Sequence, residues 1–264
     1  MTDLFGRVAT IQVGEQEISG LRVAFVVRRS GRGFDGAELQ VWGLSLDRYG
    51  ALGRPDTTTR LVAGYAARQG LVIAGTTVRG SLQRVIDGGE AVTVWQVQEA
   101  ARGLARTSLS RSWRGQVSAS EVVAQVATDA GLSWTRGDLP RDPTYARGYT
   151  ILGTVRQALD TLAADCGCTW GIQGGRLVLL PIGDAARTRI PLLTPGSGLV
   201  GYPEQQDRGR VRAVSLLDPG LLPGDRYSLG GDWLAGDYIA ETVEHRGDLY
   251  GAPWYTTVTG RPVA

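Results

Sequence analysis

The chain has no lysine and no asparagine, so all 28 of its basic residues are arginine. Both absences fit a GC-rich coding sequence and by themselves exclude no activity. One histidine, His245, and two cysteines, Cys166 and Cys168, occur in 264 residues. Two cysteines cannot build a disulfide framework. A single histidine restricts any Ser–His–acid enzyme to that one residue. No run of 18 apolar residues occurs, which excludes a spanning helix by hydropathy. The first residues, Met1-Thr2-Asp3-Leu4, are acidic where a secretory leader is basic, so no such leader is expected. With 26 acidic residues the net charge is only +2, too little for the concentrated basic face that grips nucleic-acid phosphates.

Glycine is abundant, 38 of 264, about twice the usual ~7%. It shows no G-X-Y period, which excludes a collagen-like chain. Hydrophobic residues make up 42% and charged residues 20%, enough apolar surface for a packed core. Many glycines among short β-branched runs predict a β protein with tight turns.

Three regions separate by periodicity. Residues 1–103 read as strands at 8–13, 18–27, 39–42, 61–65, 71–78 and 91–97, with turns such as Asp87-Gly88-Gly89 between them and one helical turn over 46–52. Residues 104–183 change period. Ser118-Ala119-Ser120-Glu121 is a capping box, followed by a helical face of Val122, Val123, Val126, Ala127 and Ala130 and a stop at Gly131. A second helix is predicted over 155–166 on Val155, Ala158, Leu159, Leu162 and Cys166, ending at Gly167. The two endings are alike, Ala130-Gly131-Leu132-Ser133-Trp134 beside Cys166-Gly167-Cys168-Thr169-Trp170. That likeness raises a duplicated helix–strand unit, although glycine ends helices in unrelated contexts too. Gly174-Gly175 predicts a two-residue hairpin. Residues 184–264 return to strands at 211–217, 227–229, 238–245 and 254–260. The expected fold is therefore mainly β with an α+β insert: two barrel or sandwich modules, 1–103 and 184–264, flanking a small mixed α/β domain, 104–183.

The chemical motifs are weak. Gly31-Arg32-Gly33-Phe34-Asp35-Gly36 has dinucleotide-loop spacing, but Ala37-Glu38-Leu39-Gln40-Val41 alternates as a strand where that motif requires a helix. Cys166, Cys168 and His245 cannot supply the four ligands of structural zinc. No G-x-S-x-G elbow accompanies His245, and Asp160 and Asp165 are five apart on one helix and form no obvious acid/base pair. Seven tryptophans raise a carbohydrate-binding module, against the ordinary role of tryptophan as a core ring in strands. No catalytic residue, cofactor or metal is expected.

The order of segments carries more. Ile18-Ser19-Gly20-Leu21-Arg22-Val23, Leu39-Gln40-Val41-Trp42-Gly43-Leu44, the helix from Ser118 to Gly131, Arg147-Gly148-Tyr149, Gly198-Leu199-Val200-Gly201-Tyr202-Pro203, Val214-Ser215-Leu216-Leu217-Asp218-Pro219, Val243-Glu244-His245-Arg246-Gly247-Asp248 and Pro253-Trp254-Tyr255 span most of the chain. In this order the sequence resembles the baseplate or tail-tip hub proteins of tailed bacteriophages and related injection systems. The resemblance implies two tail-tube-like β modules per copy and a homotrimeric ring. Tail-tube or distal tail ring proteins would lie above it and a spike or fibre complex below, with a channel through which DNA passes unbound. The protein would then be a virion component, made in the host cytoplasm and not inserted in a membrane. Rival readings are a distal tail or tube component with six copies, a tail-associated wall hydrolase, or the carbohydrate-binding module. A polar channel wall of modest potential is expected, with arginines at contacts between subunits. Arg28, Arg29 and Arg32, read as part of a glycine-rich hairpin tip over 28–36, are the candidates for contact with a partner.

Overall fold

The structure, a computed structural model, describes residues 6–30, 36–52, 54, 57–99, 108–137, 139–173, 176–181 and 190–263. The first stretch forms β1 (Arg7–Val13), β2 (Gln16–Ile18), β3 (Val23–Ser30), β4 (Gly36–Trp42), helix α1 (Leu46–Leu52), β5 (Thr58–Tyr65), β6 (Arg68–Thr77), β7 (Gln83–Asp87) and β8 (Glu90–Gln98). The run expected at 18–27 is two strands, because Gly20 turns the chain at φ +71°. The middle stretch forms β9 (Ser108–Trp113), β10 (Val117–Ser118), α2 (Ala119–Asp129), β11 (Ser133–Trp134), β12 (Thr144–Tyr145), β13 (Tyr149–Thr154), α3 (Val155–Asp165), β14 (Cys168–Gln173) and β15 (Arg176–Pro181). The last forms β16 (Leu192–Leu193), β17 (Glu204–Gln205), β18 (Val211–Leu216), β19 (Arg226–Leu229), β20 (Gly236–Asp248) and β21 (Trp254–Pro262). The fold is mainly β with an α+β insert.

Both long helices start and stop by the same means. Ser118 accepts from the Glu121 amide while the Glu121 side chain takes the Ser118 amide, the expected capping box. Thr154 and Gln157 make a second box that the sequence reading passed over. Gly131 and Gly167 lie just past the two helix ends at φ +69° and +71°, a left-handed conformation that costs other residues energy. The strands that follow, β11 and β14, flank β15 in a three-stranded sheet, and α2 packs against α3. The Gly174-Gly175 hairpin tip lies outside the described residues.

One sheet joins the first and last stretches. Its order is β17-β18-β21-β20-β3-β4-β8-β6-β5-β1-β2, with β7 on β8, β19 on β20 and β16 on β19. The central seam pairs Ala24–Ser30 of β3 with Thr242–Asp248 of β20, antiparallel. Apolar side chains form three clusters. The first takes Phe25, Leu39, Trp95 and others from residues 9–97 together with Leu217 and Trp254. The second lies within 109–177 and the third within 193–258. At the seam, Phe25 and Trp254 meet edge to face at 5.6 Å, a favoured aromatic geometry. Gly247 permits this, because a Cβ there would collide with Phe25 and lie 2.8 Å from Trp254.

Candidate interaction surface

Alternation along six strands builds one outward face. On β3 the buried positions are Val23, Phe25, Val27 and Arg29, and Val26, Arg28 and Ser30 point out. The same period turns Glu38 and Gln40 of β4, Gln96 and Gln98 of β8, and Thr242, Glu244 and Arg246 of β20 outward. Tyr255, Thr257 and Thr259 of β21 and Arg212, Val214 and Leu216 of β18 complete it. Register then aligns these side chains in rows across the strands. One row runs Val214, Thr257, Glu244, Arg28, Gly36, Gln98, and the next Leu216, Tyr255, Arg246, Val26, Glu38, Gln96. Two shallow concavities of about 400 and 380 Å³ lie on this face and share Arg28.

The arginines of this face are already paired. Glu244 lies 3.0 Å from Arg28 and 3.2 Å from Arg246. Glu204 lies 3.1 Å from Arg212, and Glu241 lies 3.9 Å from Arg261. Such exposed pairs add little stability, ~0–1 kcal/mol each. Their effect is on potential, since a guanidinium beside a carboxylate presents little net charge to a polyanion.

Of the candidate contact arginines, Arg28 is outward and exposed, with Glu244 of its own chain as partner. Arg29 is a correction. Its side chain is 3% exposed and sits inside the fold, donating from Nε and Nη2 to the Val72 carbonyl and lying 3.6 Å from buried Glu99. Period 2 puts residue 29 on the inward side of β3, so it is not offered to a partner. Arg32 lies outside the described residues, as does most of the 28–36 segment; Arg28 to Ser30 belong to β3 and Gly36 opens β4. Other arginines also work within the chain, tying the first stretch to the last. Arg7 donates to the carbonyls of Asp248 and Gly251. Arg22 makes a bidentate pair with Asp248 and covers the Trp42 ring at 4.1 Å. Arg68 holds Asp218 at 2.8 Å. Sequence reasoning missed these pins because the partners are about 150 to 245 residues apart.

His245 is fully buried on β20, with Nδ1 3.0 Å from the Thr256 hydroxyl. Burial, then the Arg29 charge, pushes its pKa down to about 3, so the ring is neutral and out of reach of any substrate. Cys166 and Cys168 are buried free thiols, both pushed up by burial, Cys168 to about 11. Buried thiols of raised pKa are poor nucleophiles. Among the described residues no group of three or more His, Cys, Asp or Glu could hold a metal ion. Trp42, Trp95, Trp170 and Trp254 are buried, and Trp233 alone of the seven tryptophans is largely exposed, so no platform of exposed indole rings is present.

This architecture is the fold of phage tail proteins. A tail protein from Neisseria meningitidis MC58 superposes with a TM-score of 0.69 at 13% identity, over 97% of this chain and 96% of that one. The 43 kDa tail protein of prophage MuSo2 from Shewanella oneidensis gives 0.70 at 11%, over 97% and 99%. The E. coli c3393 protein, a type VI secretion component with structural similarity to the T4 tail proteins gp27 and gp5, gives 0.63 at 11%, over 96% and 77%. No protein-family model and no curated protein sequence matches the chain.

Proposed function

We propose that the protein is a structural hub of a phage-type tail or a related injection apparatus. Three copies form a ring around a channel, with tube or distal tail ring proteins on one side and the spike or fibre complex on the other. Modules 1–103 and 184–264 supply two tube-like units per copy, so three copies present six units to a six-fold tube, and insert 104–183 stands beside them. The observation that carries the reading is the single sheet that runs through both β modules with one outward face. Joined at β3 and β20, the two units cannot rotate independently, as neighbouring segments of one wall require. The paired arginines on that face suit a channel wall, because free arginines would bind passing phosphates and add a salt-dependent hold at each one. Arg28, 69% exposed and paired with Glu244, is on this reading part of the channel wall.

The test is electron microscopy of assembled particles. Three copies in a closed ring, with the outward sheet face toward the lumen, is the expected result. Six copies with one β module each toward the axis would assign the chain to a distal tail or tube role instead.

A further inference from the structure

Two ends of the sheet carry apolar side chains in solvent with charged residues close by in the sequence. At one, every residue of β7 is exposed, including Val85 at 42% and Ile86 at 73%. Among the described residues β7 pairs with β8 alone. At the other, the segment Leu199 to Gln205 covers the outer edge of β18 through the Leu199–Ser215 bridge and the β17 pairs. It leaves Val200 38% and Tyr202 83% exposed. Of the other edges, β2 lacks this character, since Ile18 is buried and Gln16 and Glu17 are its exposed residues, and β16, which pairs with β19, exposes Leu192 at 55% but has no charged residue in 190–194. Exposed edges with apolar side chains invite association and are normally shielded.

We propose that these two ends are the two halves of one interface, β7 of one copy against Val200–Glu204 of the next. This rests on the ring reading above and assigns its contact surface. Direction supports it. Every step from β7 through β8, β4, β3, β20, β21 and β18 to the outer segment is antiparallel, so β7 and that segment run in opposite senses. Rotation about an axis along the strands preserves this, and neighbours meet antiparallel. Laid that way, Ile86 beside Tyr202 brings Arg84 beside Glu204. Glu204 is 65% exposed while holding Arg212, which leaves room for a second guanidinium. Opposite charges thus flank an apolar pair. Pro203 has no N–H to extend a ladder, so the contact is made by side chains. The halves differ from each other, so the contact is head-to-tail, and each copy uses both ends once when the ring closes.

Particles assembled from equal amounts of I86C and Y202C chains, treated with a short bis-maleimide, test the proposal. The native cysteines are buried and do not compete. The expected product is a mixed dimer, one I86C chain linked to one Y202C chain, and nothing larger. The I86C/Y202C double variant should give crosslinked dimers and trimers. A three-copy ring seen by microscopy without the mixed crosslink, or with I86C chains linked to each other, overturns this surface and leaves the ring standing. A six-copy ring overturns the ring reading, and the mixed crosslink then reports only the edge contact.

Discussion

Glu99→Leu should be among the most damaging single changes to this fold. Glu99 is fully buried and Arg29 is 4% exposed, with Nη2 and Oε2 at 3.6 Å. Removing the carboxylate takes an ionic neighbour away from a guanidinium held inside the molecule, whose Nε and Nη2 donate to the Val72 carbonyl. Breaking one half of a buried pair costs about 3–5 kcal/mol. At about 2–4 °C per kcal/mol for a chain of this size, Tm should fall by roughly 6–20 °C. Arg29→Met should cost a similar amount, because it removes the guanidinium beside the buried carboxylate. The double variant Arg29→Met/Glu99→Leu removes both charges and should recover most of the loss. Calorimetry of wild type, both single variants and the double variant closes the cycle. If Glu99→Leu unfolds within about 1 kcal/mol of wild type, or if the double variant is no better than the singles, the pair does not act as a buried ion pair.

His245 binds a proton in the unfolded chain near pH 6.5 but in the folded one only near 3. Stability therefore falls as pH drops between those values, by about 2 kcal/mol from pH 7 to 5, and His245→Gln should remove that part of the slope in urea titrations. Ser118→Ala and Thr154→Ala should each lower the urea midpoint by an amount corresponding to about 1 kcal/mol, the usual worth of an N-cap. Neither thiol should react with an aromatic disulfide reagent until the chain unfolds, and both should then react. Glu244→Gln frees Arg28 and Arg246 together, so assembled rings carrying it should retain DNA in a salt-sensitive manner in gel-shift assays, where wild type does not.

Local chemistry was readable in the sequence where it acts over a few residues. The Ser118–Glu121 box and the glycine stops at 131 and 167 place both helices to within a residue or two. Arg29 shows where this fails. Arg28-Arg29-Ser30-Gly31 reads as a polar tip, yet the alternation from Val23 onward already puts residue 29 inward. Polar composition outweighed period because its compensating acid is 70 positions away. The consequence reaches experiment: an alanine triple at Arg28, Arg29 and Arg32 would not leave the fold intact, whereas Arg28→Ala alone should stay within about 0.5 kcal/mol. The β3–β20 seam, and with it the shared outward face, depends on strands more than 200 residues apart and has no local signature. Thr154–Gln157 is a different case: it is as local as Ser118–Glu121, and its Thr-x-x-Gln spacing is itself a capping-box signal.

The seam also sets a schedule for synthesis. When β3 leaves the ribosome its partner β20 is still roughly 200 residues from being made, some 10–40 s at ~5–20 residues per second. Through that interval the nascent first module has an open strand edge and a core without Leu217 and Trp254. It can collapse but not finish. The contacts that complete it are supplied by strands made roughly 200 residues later, so a chain interrupted before residue 254 carries an unclosed sheet and should be cleared or aggregate. An intact seam thus certifies that the strands of both stretches have been made and joined.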